Sequence, residues 1–262
     1  ILTALGIFIG VAAVIATVAV GEGARRQVTA QIQSLGANLL IIWGGSATMG
    51  GVRLGAGGRS NLSYDDAVAI AREVPEVEVA VGSIRQTFQM VAGNQNWSAV
   101  VIAADPDFFV AHEWVAAVGR LFGAEEANQG RKMVILGATV AENLFGEEDP
   151  VGREIRIRST PFEVIGVMAR KGQNPMGQDQ DDAVFIPYWT ARRSVMGASR
   201  ANARQVGTIS VKVHDGEDMR EAEESIRALM RQRHRIAANE PDSVSIRNLS
   251  DIQATRDAAA RT

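Results

Sequence analysis

The first twenty residues, ILTALGIFIGVAAVIATVAV, constrain this chain more than any other segment, because sixteen of them are apolar. The exceptions are Thr3, Gly6, Gly10 and Thr17, and no charge comes before Glu22. As an α-helix, twenty residues span about 30 Å, which is the thickness of the hydrocarbon core of a bilayer. We therefore predict a transmembrane helix over residues 1–20.

Two other interpretations of this segment fit less well. A signal peptide would carry an initiator Met, a basic start and a shorter apolar stretch, and a buried core helix rarely stays apolar for so long. Because the chain starts at Ile1, we expect it to be a fragment of a longer protein. The spacing of Gly6 with Gly10 and of Ala12 with Ala16 predicts close packing against a second membrane helix. The general abundance of Gly in membrane helices is the alternative explanation.

A second helix is predicted over residues 21–36. Val28, Ile32 and Leu35 recur at i, i+4 and i+7 and form one apolar stripe, and Gly36 stands where a helix C-cap belongs. This segment is predicted to continue out of the membrane as a stalk. Arg25 and Arg26, taken alone, would favour a cytoplasmic exit under the positive-inside rule.

The rest of the sequence alternates between strand and helix patterns. Strands are predicted over Leu39–Trp43, Thr87–Ala92, Trp97–Ala103, Glu154–Arg158, Phe162–Met168, Ala183–Ile186, Thr208–Val213 and Ser243–Arg247. Helices are predicted from Ser63 to Val74, over Thr139–Phe145, near 189–196, over Asp215–Arg235 and from Leu249 onwards. The Gly/Ser-rich stretch 44–61 and the polar stretch 170–182 are predicted to be loops. The first and last thirds therefore share a strand–helix–strand pattern around a β-rich middle.

Charged residues at two helix ends are best explained by the helices themselves. Ser63 and Asp66 have the spacing of a capping box, and acidic residues complement the positive end of a helix. Metal or acid–base chemistry at the adjacent Asp65 and Asp66 is the weaker alternative. The basic end of the last long helix suits the negative end of its dipole, with nucleic acid or lipid headgroups as the alternative partners; its residues are Arg231, Arg233, His234 and Arg235.

No motif in the sequence predicts a catalytic, cofactor or metal site. The chain has no Cys, which excludes disulfides and thiolate metal sites and fits an oxidising compartment. Its three His residues show no metal-binding spacing, and GAGG at 55–58 lacks the Lys and Ser/Thr of a P-loop. The net charge of −3 argues against nucleic-acid binding.

Several strings, in order along the chain, resemble the extracytoplasmic region of MacB/FtsX-type ABC transporter permeases. They are LTALGIFIGVAAVIATVAVGEG at 2–23, SLGANLLII at 34–42, LSYDDAVAI at 62–70, GRLF at 119–122, VILGATVAENLFGEEDPVGREIRI at 134–157, FEVIGVMARKG at 162–172, DAVFIPYWTARR at 182–193 and ALMRQRHR at 228–235. Each string alone is weak, whereas the ordered series is specific.

The resemblance implies an α+β fold consisting of a first transmembrane helix and a MacB-like periplasmic core domain. A porter-like α/β subdomain, discontinuous in sequence, would occupy 37–90 and 205–248. An inserted β-rich, Sabre-like lobe would occupy 91–204. Residues 249–262 would begin a return stalk helix.

The resemblance also implies a function in the bacterial inner membrane, with most of the chain in the periplasm. The domain would couple ATP hydrolysis by a partner domain or subunit to export of a drug, peptide or lipoprotein-like cargo. ATP and Mg would bind that partner, so this chain would have no cofactor and would not be an enzyme. The implied partners are an ABC ATPase, a second permease copy, a periplasmic adaptor, an outer-membrane channel and membrane lipid. Val28, Ile32 and Leu35 would carry motion from the stalk into the periplasmic domain.

Two other functional classes remain open from the residues alone. An FtsX-like signalling domain would regulate a periplasmic cell-wall hydrolase instead of moving cargo. A membrane-anchored enzyme would need a polar pocket with perturbed titrating groups.

Overall fold

The computed structural model describes residues 38–45, 48–49, 52–53, 62–174, 177–197 and 203–248. The predicted transmembrane helix at 1–20, the stalk at 21–36 and the helix from residue 249 onwards lie outside these ranges. Among the helices within them, none combines the length and the apolar character needed to cross a bilayer.

The described chain alternates short strands and helices. The strands are β1 Leu39–Gly44, β2 Thr48–Met49, β3 Val52–Arg53, β4 Val77–Ala92, β5 Gln95–Ala104, β6 Ala116–Gly119, β7 Met133–Leu136, β8 Glu154–Ile157, β9 Thr160–Met168, β10 Ala183–Pro187, β11 Thr208–Val213 and β12 Val244–Asn248. The helices are α1 Tyr64–Glu73, α2 Asp107–Ala111, α3 Ala124–Asn128, α4 Ala138–Phe145, α5 Tyr188–Ser194 and α6 Met219–Arg233.

One 10-stranded sheet organises the fold, in the order β12-β1-β11-β4-β5-β10-β7-β9-β6. β8 pairs with both β4 and β9, so β4, β5, β10, β7, β9 and β8 close on one another as a ring. Each of those strands therefore has a paired neighbour on both sides over at least part of its length. β4 is long enough, at 16 residues, to belong to the ring and to the open part of the sheet.

We call the open part of the sheet the proximal half, because it carries both ends of the described domain. It consists of β12, β1, β11 and residues 77–83 of β4, with α1 and α6 packed on one face. The core between the helices and this face contains Leu40, Ile42, Ile70, Ile209, Val211, Ile226 and Met230. Along β1 and β12 the core side chains alternate with more exposed ones, as in a sheet that is covered mainly on one side.

The closed ring and its helices form the distal half, in which β7 and β10 are buried on both faces while β4, β5 and β8 also carry exposed residues. Met90, Val101, Leu136, Ile155, Val164 and Val184 fill the interior with Val140 and Leu144 of α4. The outer side is covered by α2 and the residues after it, where Phe108, Phe109 and Trp114 pack against Ile135 and Phe185.

The structure confirms most of the predicted elements and moves some of their ends. β4 begins at Val77, not at Thr87, because its first half is paired with β11 and has buried residues on both faces, which hides the alternation. The turn between β4 and β5 is confined to Gly93 and Asn94. α6 begins at Met219, not at Asp215, because the Asp218 side chain caps it by accepting a hydrogen bond from the Arg220 N–H.

Four short elements, α2, β6, α3 and β7, had no separate prediction. Each has only 4 or 5 residues, which is too short for a clear period. β2 and β3 form a small antiparallel pair within the stretch 44–61 that was predicted to be a loop. The subdomain boundaries at 90/91 and 204/205 stay a prediction, and β4 runs across the first of them.

Candidate functional site: where the chain ends join the sheet

Both ends of the described domain meet the sheet at the same place. β1 starts at Leu39 and β12 ends at Asn248, and the two strands are antiparallel neighbours with Leu40 opposite Asn248. Residues 1–37 and 249–262 are therefore attached to adjacent strands at one end of the proximal half. A displacement of either segment would act on this pair of strands first.

Asn38, the entry point of the chain into β1, is held by one backbone and one side-chain hydrogen bond. The Asn38 carbonyl accepts a hydrogen bond from the Val213 N–H at 2.9 Å, and its side-chain amide donates to Asp215 Oδ1 at 2.7 Å. β1 then continues between β11 and β12 with a ladder on each side. β11 in turn pairs with β4, so backbone hydrogen bonds join the entry point to the strand that reaches the distal half.

A buried carboxylate ties α1 to the end of α6. Asp66, 4 % exposed, accepts hydrogen bonds from Arg233 Nε at 2.9 Å and from the Ser63 N–H at 2.9 Å. His234 Nε2 lies 3.2 Å from Asp66 Oδ2. Burial alone would raise the pKa of Asp66, but the hydrogen bonds from His234, Arg233 and Ser63 outweigh it and hold that pKa well below its ordinary value. The predicted capping box is confirmed, and the same carboxylate also holds two helices together.

The segment that precedes β12 is also bound to α6 through a carboxylate. Asp242 pairs with both Arg227 and Arg231, and hydrogen bonds from these two guanidinium groups lower the pKa of its carboxyl. Arg231 also donates to the carbonyls of Ala237 and Glu240. The basic end of α6 is thus bound to carboxylates and carbonyls of its own domain, in addition to suiting the helix dipole.

His234 lies between Ser243 and Asp66, in the order of a Ser-His-Asp triad. Its Nδ1 lies 2.7 Å from Ser243 Oγ, and its Nε2 faces Asp66. Asp66, however, is already paired with Arg233 and occupied by the α1 cap, which reduces its capacity to support a catalytic base. The arrangement joins α1, α6 and the start of β12. In the described ranges, no three His, Asp or Glu residues are placed to hold a metal ion.

Hydrogen-bond contacts on both faces of the sheet help to join the proximal and distal halves. The Tyr64 hydroxyl of α1 donates to Asp105 Oδ2, at the end of β5, at 2.5 Å; burial raises the pKa of both groups. On the other face of the sheet, His112 Nε2 lies 2.8 Å from Ser210 Oγ of β11. Burial, with Arg85 and Lys171 nearby, lowers the pKa of His112 to about 3, so the ring is neutral.

A cavity of about 740 Å³ lies in the distal half, between the β4–β5 turn, the end of α4 and the start of β8. Its lining includes Gly93, Phe145 and Glu154, together with Glu142 and Glu148. Glu142 pairs with Arg170, and Glu148 pairs with Arg153 at 2.8 Å. The cavity is therefore polar at its rim and partly neutralised.

The functional residues that the sequence predicted for membrane packing and for coupling lie outside the described part of the chain. They are the proposed membrane-packing residues Gly6, Gly10, Ala12 and Ala16 and the proposed coupling residues Val28, Ile32 and Leu35. Sequence reasoning missed Asp242 and the pairing of Asp66 with Arg233, because these partners come from distant parts of the chain. The Ser63–Asp66 spacing was the only local signal at this site.

The fold defines a class of protein, namely a two-lobed α+β domain whose first and last strands are neighbours in one sheet. The MacB-like periplasmic core domain family matches residues 1–229, and the chain belongs to this family.

Two curated relatives extend this result. The macrolide export ATP-binding/permease protein MacB of Chlorobaculum tepidum is 38 % identical over 262 residues. The protein of the same name from Bdellovibrio bacteriovorus is 35 % identical over 263 residues. The alignments cover 100 % of this chain and 39 % of each relative.

Solved structures show the same fold at lower identity. The periplasmic region of MacB from Actinobacillus actinomycetemcomitans superposes with a TM-score of 0.69 at 23 % identity, covering 86 % of this chain and 95 % of that one. The extracellular domain of the noncanonic ABC-type transporter YknZ from Gram-positive bacteria gives 0.61 at 14 % identity, covering 80 % of this chain and 100 % of that one. The predicted likeness to a MacB-like periplasmic core domain is confirmed.

Proposed function

We propose that this chain is the periplasmic part, with the first membrane helix, of an ABC transporter permease in a bacterial inner membrane. Its membership of the MacB-like family supports this proposal, as do the relatives named as ATP-binding/permease proteins. The bilayer-length apolar segment at 1–20 supplies the anchor. ATP and Mg would bind a nucleotide-binding domain or subunit outside this chain, and the chain itself would not be an enzyme.

The observation that carries the proposed mechanism is the side-by-side attachment of the two chain ends to β1 and β12. If both segments lead to membrane helices, their movement on ATP hydrolysis is delivered to two hydrogen-bonded strands at once. The ladder from β1 through β11 to β4 offers a continuous path into the distal half. The ion pair of Asp66 with Arg233 holds α1 to α6, and the ion pairs of Asp242 hold α6 to the segment before β12.

The proposed transporter works as a dimer of permease copies with a periplasmic adaptor and an outer-membrane channel. The names of the relatives make a macrolide-type drug the first cargo to test, with peptides and lipoprotein-like cargo as the other classes. In the FtsX-like alternative, the same movement would regulate a cell-wall hydrolase, and no cargo would be exported.

The experiment tests coupling in the full-length permease assembled with its ATPase. Val28→Asp with Ile32→Asp places two charges on the predicted apolar stripe, so we expect export to fall by about tenfold or more while ATPase activity persists. Ala30→Asp with Ser34→Asp adds the same charge on the other side of the predicted helix and is expected to leave export near the unmodified level. Normal export by the first variant would refute the proposed role of the stripe.

A further inference from the structure

One face of the proximal half is left open by the helices of the described chain. α1 and α6 cover the side of Leu40, Ile42, Ile209 and Val211. On the opposite side, the register aligns Arg247, Ile41, Ser210 and Val81 in one row across β12, β1, β11 and β4. The next row contains Ser245, Trp43, Thr208 and Ser83.

In both rows, the side chains are better covered towards β4 than towards β12. The end of α2 lies over the β11–β4 side, where His112 meets Ser210 and Val81 is buried. Towards β12 the side chains are only half-buried or exposed. We call this exposed region the open face, and its residues are Ile41, Trp43, Thr208, Ser245 and Arg247, with Arg85 at its far corner.

The open face combines an apolar centre with two cations that have no anionic partner in the described ranges. Trp43 and Ile41 form the centre, and a half-exposed Trp is the kind of side chain that anchors protein interfaces. Arg85 and Arg247 are exposed, and neither forms an ion pair with a described carboxylate. In contrast, Lys212, on the covered side of the same sheet face, is paired with Glu78 at 3.2 Å.

The surroundings of Arg85 strengthen the contrast. It lies two residues beyond Ser83 on β4 and near His112 of the distal half, and the surrounding protein lowers its pKa although its side chain stays exposed. A guanidinium that is partly desolvated without a nearby carboxylate loses hydration and gains no ion pair. A partner that supplied an anion there would recover that loss, whereas a basic partner would increase it.

We propose that the open face docks an amphipathic helix of a partner protein, with apolar side chains on Trp43 and Ile41 and carboxylates on Arg85 and Arg247. A helix is the occupant that fits, because helices already cover the other face of the same strands. The charge pattern selects an acidic helix. The open face is formed by described strands, so the docking of a helix there does not depend on the proposed transport function.

The strand register also sets the spacing that the two carboxylates of the partner helix must have. Arg247 and Arg85 are separated by three inter-strand steps and by four residues along the strands, which amounts to about 20 Å. On a helix this distance corresponds to about fourteen residues, or four turns, which returns to the same side of the helix. The two acidic positions should therefore flank an apolar stripe of four turns.

The test measures binding of a fluorescein-labelled helical peptide to the full chain in detergent micelles by fluorescence anisotropy. The peptide has a leucine stripe and glutamates about fourteen positions apart; its control has lysines at those two positions. We expect saturable binding of the glutamate peptide only. Arg85→Gln with Arg247→Gln should weaken it by about tenfold or more, and Trp43→Ala should also weaken it.

The matched control variant is Arg156→Gln, which removes an exposed strand arginine from β8 in the distal half and should leave binding unchanged. The substituted arginines are exposed, so their variants should keep the unmodified circular dichroism spectrum. Equal binding of the glutamate and lysine peptides, no binding of either, or unchanged binding by the double variant would overturn the proposal. Self-association of the chain that Arg85→Gln with Arg247→Gln abolishes would also overturn it, because a second copy would then be the occupant.

Discussion

The proximal and distal halves bury their strands in different ways. In the distal half, β7 and β10 are buried at every position, because the closed ring has side chains packed inside it and helices outside it. In the proximal half, β1 and β12 alternate between buried and more exposed positions. The distal half thus has central strands that are buried on both faces, while the proximal half is a two-layer structure with one face left for contact.

The two halves also differ in how deeply their ion pairs are buried. The proximal half contains two carboxylates, Asp66 and Asp242, whose ion pairs connect separate elements and are partly or fully buried. The pairs in the distal half that line the cavity are exposed on both sides, as for Arg153 with Glu148. Exposed pairs contribute little to stability. The comparison indicates that packing dominates the stability of the distal half and that buried charges add a pH-dependent part in the proximal half.

The largest effect is expected from the distal core. Phe185 is 1 % exposed and contacts Trp114 and Phe109, with ring centroids at 5.4 and 5.7 Å. Phe185→Ala should lower the free energy of unfolding by about 3–5 kcal/mol through the cavity it leaves. Ile41→Ala, on the open face, should cost about 1 kcal/mol. Urea unfolding of both variants measures the difference, and equal losses would contradict the contrast between the halves.

The next effect concerns the buried charge of the proximal half. Asp66→Asn should cost about 2 kcal/mol at pH 7, because it leaves Arg233 and His234 without their anion. Since the pKa of Asp66 is lower in the folded state, its contribution is present above the unfolded pKa of about 4 and is lost as pH falls through the folded value.

Unfolding measured between pH 7 and pH 2 separates this contribution from a general acid effect. The difference between the unmodified protein and Asp66→Asn should shrink as pH falls. Asp65→Asn is the matched control, because its half-exposed carboxylate pairs with Arg204 at the surface; it should change stability by less than about 1 kcal/mol at any pH. A difference for Asp66→Asn that stayed constant with pH would show that its charge is not the cause.

The smallest effect is expected at the contact between the halves. Tyr64→Phe removes the hydroxyl that donates to Asp105 and leaves a half-buried carboxylate short of a donor, at a cost of about 1–2 kcal/mol. Because this bond joins the two halves, its loss should also broaden the unfolding transition. Tryptophan fluorescence and far-UV circular dichroism would then give different midpoints. Coincident midpoints in the variant would show that β4 and the sheet alone keep the halves cooperative.

Local patterns in the sequence predicted the elements well, and pairings between distant residues were beyond their reach. The Ser63 cap and the alternation at Ile155 and Ile157 depend on neighbours a few positions away, so one sequence displays them. The closure of the ring through β8 and β4 depends on Met90 meeting Ile157, which no local period records.

The candidate site shows the same limit. His112 is isolated in the sequence, and its partner Ser210 is 98 residues away. The basic end of α6 was correctly placed at a helix terminus, but its carboxylate partners became visible only in the fold. The open face was also hidden, because exposure on one side of β1 depends on which helices cover its neighbours.

The length of β4 determines how far a small rotation of the sheet would move the distal end of the domain. Its 16 residues extend over about 50 Å, from the strand pair beside the chain ends to the turn that lines the distal cavity. If the sheet rotates as a rigid body about the end beside the chain ends, a tilt of about 5° shifts the turn at the other end of β4 by about 4 Å. A small angular change near the chain ends is thereby converted into a displacement as large as a side chain at the opposite extremity.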